Sequence, residues 1–305
     1  MSPAALLERA GFAGEVRLAE PMASHTSLGI GGPAEAMAFP DKVEELAKLL
    51  LAAKENGVPV FVLSGGTNLL VKDGGIPGLV INMGKLSWIE LERGEPGTSR
   101  LHAGAGVRLA RLIGYCTNNG LSGLEFTAGI PGTLGGAVAM NAGAGETEMK
   151  DVLVSVTLAG PDGGIRTLPA AGLRMGYRHT ELPEGSVVAE ASVAVIPWPK
   201  EEVRELVRKT IRRRKATQPL EMRSAGSTFK NPPGYSAWRL IEMAGLRGMT
   251  VGGAQVSMRH TNFLVNTGGA TAKDYMGLVE LVIKTVGEKL NITLEPEIKI
   301  VGVEN

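Results

Sequence analysis

The side chains best suited to chemistry fall in four stretches of the sequence. "GYRHT" supplies Arg178; "RSAGSTFKNPPG" supplies Ser227 with Lys230 and Asn231; "GGAQVSMRHTNFLVN" supplies Gln255, His260 and Asn262; "LEPEIKIVG" supplies Glu295 and Glu297. An arginine fork can take a carboxylate through two hydrogen bonds, a serine hydroxyl can pass a proton, and a carboxyl group can position or polarise a reacting group. Each residue also has an ordinary reading, as a turn serine, a capping amide, a surface arginine or a strand-edge glutamate. Taken together, Arg178, Ser227 and Glu297 form a set able to hold a carboxylate and move a proton.

Two glycine-rich stretches suggest what else is held. "SGGTNLLV" leaves the apolar run Val58–Leu63 through Ser64, Gly65, Gly66, Thr67 and Asn68 before returning to an apolar run. Adjacent glycines allow positive φ and let another group come close to the backbone amides. Within Thr127–Glu146, Gly129, Gly132, Gly135 and Gly136 bring further uncovered amides, with Thr133 and Asn141 as short polar side chains. Either loop alone reads as a tight turn; both together suit the diphosphate of a long ligand, gripped by backbone dipoles. Neither matches the G-x-G-x-x-G dinucleotide fingerprint, and the triphosphate motif G-x-x-x-x-G-K-[ST] is absent from the sequence.

The elements that must position these groups are of mixed type. "DKVEELAKLLLAAKEN" puts Val43, Leu46, Leu49, Leu50 and Ala53 on one helical face, with Asp41 as the expected N-cap and Gly57 as the stop. "EEVRELVRKTIRRR" and "TAKDYMGLVELVIKTVGEKL" read as amphipathic helices, while "GLVINM", "VLVSVTLAG" and "SVVAEASVAVIPW" read as strands. Helices fall only now and then between strands, so the expected class is α+β. Pro197-Trp198-Pro199 marks a boundary, since proline interrupts both ladder and helix.

Composition excludes several functions. The 305 residues carry 32 Lys plus Arg against 31 Asp plus Glu, a net charge of +1, which gives no global field for nucleic acid. "IRRRK", Ile211–Lys215, closes a helix where cations favour the dipole, so it argues weakly for a nucleic-acid module. Cys116 is the single cysteine; it excludes an internal disulfide and a thiolate metal cage, and its apolar surroundings suggest a buried small side chain. No metal site is expected. The N-terminus has no signal-peptide pattern and no window has the ~20 apolar residues of a membrane span, so a cytoplasmic protein is expected.

The motifs named above, in their order, resemble the MurB family of bacterial UDP-N-acetylenolpyruvoylglucosamine reductases. The likeness runs almost end to end, through "HTSLGIGGPAEAMAFP", "VLSGGTNLLV", "GLEFTAGIPGTLGGAVAMNAGAGE", "YRHT", "AGSTFKNP", "LIEMAGLRG", "GGAQVSMRHTNFLVN" and "LEPEIKIVG". It implies a two-subdomain FAD-binding region of the vanillyl-alcohol oxidase/p-cresol methylhydroxylase type, over 1–76 and 77–199, and a C-terminal α+β substrate-binding domain over 200–305. FAD would be noncovalent, cradled by Ser64–Asn68 and the loop from Gly129 to Gly136, with Asn141. NADPH would be the hydride donor and the enolpyruvyl ether of UDP-N-acetylglucosamine the substrate. Ser227 would be the general acid, Arg178 and Glu297 would polarise the carboxylate, and Lys215, Asn231 and Gln255 would bind substrate. Lys230 would favour the serine alkoxide. The short stretch between "YRHT" and "AGSTFKNP" resembles the type II branch, which lacks the insertion carrying a substrate-covering tyrosine. An oxidase using the same flavin fold on a hydroxy acid or alcohol is the enzyme alternative.

Overall fold

The helix expected after Asp41 spans Val43–Glu55 and buries Leu46, Ala47, Leu49, Leu50 and Ala53. Its N-cap is Lys42 rather than Asp41, and no side chain caps it. Asp41 stands one residue too early, and its own N–H donates instead to the Glu45 carboxylate at 3.2 Å. Glu44 and Glu45 then complement the dipole of the first turn.

The computed structural model describes residues 1–94 and 97–304. Contacts divide the chain into two units that interleave along the sequence. The first comprises Met1–Leu18, Ala36–Gly65 and Gly78–Arg213; the second comprises Ala19–Glu35, Gly66–Pro77 and the chain from Arg214. Each unit has its own apolar core.

In the first unit an antiparallel sheet orders its strands Ile165–Pro169, Leu153–Ala159, Val187–Pro197, Ser99–Gly104 and Ile89–Arg93, with Leu121–Ser122 pairing the end of Val187–Pro197. The central strand Val187–Pro197 buries Val188, Ala189, Ala191, Val193 and Val195. Helix Val43–Glu55 packs on Leu153–Ala159, and the six-residue helix Leu134–Ala139 packs on Val187–Pro197. The expected strand from Val58 is shorter, Val60–Leu63; it runs parallel to Ile76–Asn82, pairing Val60 with Leu79 and Leu63 with Asn82. Cys116 is fully buried on helix Leu109–Asn119, and burial together with the nearby Glu125 charge pushes its thiol up to about 12. It packs as a small apolar side chain.

In the second unit four short strands pair antiparallel in the order Arg223–Ser224, Leu264–Asn266, Ala254–Val256 and Thr250–Val251. Helix Ala272–Leu290 covers the last two of these and packs on helix Ala237–Met243. A capping box formed by Thr271 and Asp274 opens it, Asn291 at φ +55° ends it, and the Asp73 carboxylate accepts from the N–H groups of Ala272 and Lys273. Leu69–Val71 runs parallel to Lys299–Val301. Mixed helix and antiparallel sheet bear out the α+β expectation. Among the described residues no helix is long and apolar enough to cross a membrane.

Candidate active site

Within the first unit, the two glycine loops meet through Ser64 and Gly65 on one side and Gly132 and Thr133 on the other. Ser64 Oγ and Thr133 Oγ1 are hydrogen-bonded, and a Cβ on Gly65 would stand 2.8 Å from Gly132 Cα. Glycine at 65 therefore serves loop-to-loop packing before it serves any ligand. Gly129 and Gly132 take φ of +76° and +123°. Gly135 donates its N–H to Ala105 C=O, so that amide belongs to the fold. Gly136 faces its own helix cap, the Thr133 hydroxyl, at 3.5 Å. Among the described residues, the N–H groups of Gly65, Gly129 and Gly132 donate to no protein acceptor. Neither Ser64–Asn68 nor Gly129–Gly136 carries a carboxylate that would repel a diphosphate. Unpaired amides beside the Ser64–Thr133 hydroxyl pair are donors of the kind a diphosphate takes.

Asn141 lies at the far end of helix Leu134–Ala139 and is fully buried, with its amide bonded to Glu148, Lys150 and Gly176. Arg178 sits in the two-residue turn between strands Arg174–Gly176 and His179–Glu181, at φ +57°, with its guanidinium 4.9 Å from the Tyr177 ring centroid.

Within the second unit, the Ser227 loop and the Glu297 segment lie side by side. Glu297 N–H donates to Thr228 C=O at 2.8 Å, Lys230 N–H donates to Glu295 C=O at 2.9 Å, and Phe229 bridges Pro296. This pairing sets Glu297 beside the residue that follows Ser227. The Asn68 side chain donates to Glu297 C=O at 3.2 Å, and Lys299 N–H donates to Asn68 C=O at 3.2 Å. The asparagine that closes "SGGTN" thus anchors the segment carrying Glu297. Gly66, at φ +61°, is required by the protein itself, because a Cβ there would overlap the His25 carbonyl oxygen.

Asn262 is the residue that the sequence named without a role. It is 4% exposed, takes the Phe229 N–H on Oδ1 at 3.0 Å, and donates from Nδ2 to Phe229 C=O at 2.9 Å. Its own C=O accepts from Thr228 N–H at 2.8 Å. These three bonds fix the backbone immediately after Ser227. The only sequence signal is a polar amide immediately before the apolar run Phe263–Val265 that enters strand Leu264–Asn266. Lys230 pairs with the Glu295 carboxylate.

Asn231, Gln255 and Lys215, the residues expected to bind substrate, all belong to this unit. Asn231 Oδ1 accepts from Ala237 N–H at 2.9 Å, the first N–H of helix Ala237–Met243, whose N-cap position is Ser236. Gln255 lines a cavity of about 370 Å³ with Glu221, Ser257, Met258 and Arg259. Arg259 pairs with Glu221 and donates to the Lys215 and Gln218 carbonyls at 3.3 and 3.2 Å, which ties the Lys215 backbone to the Arg259 side chain. His260 is tilted between Trp238 and Phe263, with Nδ1 buried and unpartnered among the described residues; burial holds its pKa below the usual value.

A sequence model of the C-terminal domain of UDP-N-acetylenolpyruvoylglucosamine reductase matches residues 218–301, and one of an FAD binding domain matches residues 34–169. A UDP-N-acetylenolpyruvoylglucosamine reductase of Syntrophotalea carbinolica is 45% identical over 94% of this chain and 94% of its own, and one of Caldanaerobacter subterraneus is 43% identical over 95% and 94%. The chain belongs to the UDP-N-acetylenolpyruvoylglucosamine reductase family. The crystal structure of the family member from Thermus caldophilus superposes with a TM-score of 0.80 at 39% identity, covering 94% of this chain and 98% of that one. Both glycine loops fall inside the FAD-binding match; Ser227, Asn231, Gln255 and Glu297 fall inside the reductase C-terminal match. Arg178 and Lys215 lie outside both.

Proposed function

We propose that this chain reduces the enolpyruvyl ether of UDP-N-acetylglucosamine to UDP-N-acetylmuramate, with FAD held noncovalently and NADPH as the reductant, in the cytoplasmic synthesis of peptidoglycan precursors. The observation that supports this most directly is the hydrogen bond from Glu297 N–H to Thr228 C=O, which brings a carboxyl-bearing segment against the serine loop. FAD, when bound, supplies a two-electron carrier that links NADPH to the substrate.

The chain's own residues handle the substrate and its proton. Ser64, Thr133 and the amides of Gly65, Gly129 and Gly132 hold the cofactor diphosphate. Addition of hydride to the terminal alkene carbon turns CH2 into CH3 and pushes the electron pair of the double bond toward the adjacent carbon and its carboxylate. Arg178 takes that carboxylate as a fork and Glu297, as the carboxylic acid, donates a hydrogen bond to it, so that the developing negative charge meets preorganised donors. Ser227 gives its hydroxyl proton to the adjacent carbon, and the lactyl ether is complete. Lys215, Asn231 and Gln255 hold the nucleotide sugar.

The test is anaerobic and follows the yellow of the flavin. NADPH bleaches it, and the enolpyruvyl substrate restores it. Ser227→Ala is expected to bleach at the wild-type rate and to recover its colour about 10²–10⁴-fold more slowly, as for loss of a general acid. Recovery at the wild-type rate would remove Ser227 from the mechanism. An oxidase would show itself by rapid recovery in air without substrate.

A further inference from the structure

We propose that Asn141 is a positioning residue for Arg178 and not a contact of the cofactor. The proposal rests on the reading that Arg178 takes the substrate carboxylate. It begins with the geometry of the asparagine, which is 0% exposed and sits at φ +42°, a region that asparagine tolerates better than most residues. Its Nδ2 donates to Gly176 C=O at 2.9 Å and to the Glu148 carboxylate at 3.0 Å, while Oδ1 accepts the Lys150 N–H at 3.0 Å. An amide has two N–H donors, and here both are used inside the protein. No donor is left for a phosphate.

The bond to Gly176 is the informative one. Gly176 pairs with His179 across the hairpin, so Tyr177 and Arg178 are the whole of the turn. Gly176 is one foot of that turn. The other is secured by Thr180, 4% exposed, whose Oγ1 donates to Val138 C=O at 2.5 Å. Val138 and Asn141 belong to the same stretch, the C-terminal end of helix Leu134–Ala139, which starts at the Thr133 cap of the glycine loop. Both feet of the Arg178 turn are therefore pinned to one helix end.

The pinning has a physical purpose in the backbone of Arg178. At φ +57° a non-glycine residue is disfavoured, and such a conformation persists where its surroundings over-determine it. Releasing the Gly176 foot lets the turn relax and swings the base of the arginine side chain. A carboxylate clamp depends on that base, because a displacement of about 1 Å can cost a 10²-fold factor in rate.

The experiment uses the full chain loaded with FAD and the variant Asn141→Gly, which keeps the positive φ without strain and removes the amide. Expected are an FAD Kd within about twofold of wild type, unchanged bleaching by NADPH, and recovery of colour with the enolpyruvyl substrate slowed about 10- to 100-fold with a raised KM. Tryptic cleavage after Arg178, followed by mass without substrate, is expected to accelerate. In an Arg178→Ala background the same substitution is expected to add nothing to the slow recovery, as for two residues acting as one unit. A weakened FAD Kd with both half-reactions damaged would overturn the proposal and restore Asn141 as a cofactor contact. Cleavage after Arg178 at the wild-type rate would overturn it as well. Faster cleavage together with normal recovery in Arg178→Ala would keep Asn141 as the anchor of the turn and refute the reading of Arg178 on which its catalytic meaning rests.

Discussion

Gly65→Ala tests the idea that the two glycine loops form one cradle. A methyl at position 65 would stand 2.8 Å from Gly132 Cα, 3.3 Å from Gly132 C and 3.4 Å from Thr133 N. Carbon atoms in contact prefer about 3.5–4.0 Å, so one loop must retreat by roughly 0.7–1.2 Å. The loop that would have to yield is held on both sides. Leu109 N–H donates to Gly132 C=O at 3.0 Å and Leu134 N–H donates to Val107 C=O at 2.8 Å, so Gly132 has no flexible side chain and no slack to give. Overpacking of this kind costs about 1–3 kcal/mol of stability.

The larger effect is expected on cofactor affinity. A backbone donor displaced by about 1 Å from a phosphate oxygen leaves hydrogen-bonding range, and a hydrogen bond to a charged group contributes about 1.5–3 kcal/mol. Loss of one such bond corresponds to FAD binding about 10- to 150-fold weaker. Titration of apoprotein with FAD, followed by quenching of flavin fluorescence, measures this directly, and thermal melting of the apoprotein separates the folding cost. A folded Gly65→Ala protein with an FAD Kd within about twofold of wild type would refute the cradle reasoning.

Three further outcomes are expected. Gly114→Ala, on helix Leu109–Asn119 where an added Cβ meets nothing within 4 Å, should stabilise the protein by about 0.5–1 kcal/mol in denaturant titration while leaving FAD affinity unchanged; a loss of stability would contradict the open space there. Asn262→Ala strands the N–H and C=O of Phe229 and should cost about 2–5 kcal/mol, with recovery of flavin colour impaired more than bleaching; equal effects on the two half-reactions would make Asn262 only structural. Burial keeps His260 neutral with a folded pKa below its unfolded value near 6.5, so the unfolded chain binds the extra proton first; stability should be complete above that unfolded pKa and fall as pH drops through it toward the folded pKa, and a stability profile of His260→Gln with the same slope would assign the effect elsewhere.

Local pattern made the long elements legible. Helices Val43–Glu55 and Ala272–Leu290 follow from apolar residues recurring at helical spacing, and Val187–Pro197 from a β-branched run bounded by glycine and proline. The cap at Lys42 was not legible, because Asp41 has the stronger capping side chain and the backbone turns one residue later. Contacts that join distant segments were hidden for a different reason. Asn68 and Glu297 stand 229 residues apart, and their bond depends on the parallel pairing of Leu69–Val71 with Lys299–Val301, which two three-residue segments do not announce. The grouping of 19–35 and 66–77 with the chain from Arg214 is of the same kind.

Residue type also marks a site before it says which atoms face the ligand. Asparagine and glycine are concentrated in these loops because tight, close-packed backbone needs them, and ligand binding needs the same backbone. Gly66 is demanded by the His25 carbonyl, Gly135 spends its N–H on Ala105, and Asn141 spends its amide on the hairpin of Arg178, so three residues of the sequence motif are accounted for by the fold alone. Lys230 shows the same logic for charge. Its ammonium pairs with Glu295 at the surface, with side chains 34% and 70% exposed, so the field it offers a Ser227 alkoxide is offset by its partner and screened by solvent. In the proposed mechanism the proton would leave Ser227 because the acceptor is a strongly basic carbon created by hydride addition. The protein's contribution would then be positional: Asn262 and the Glu297 segment fix the backbone that immediately follows Ser227.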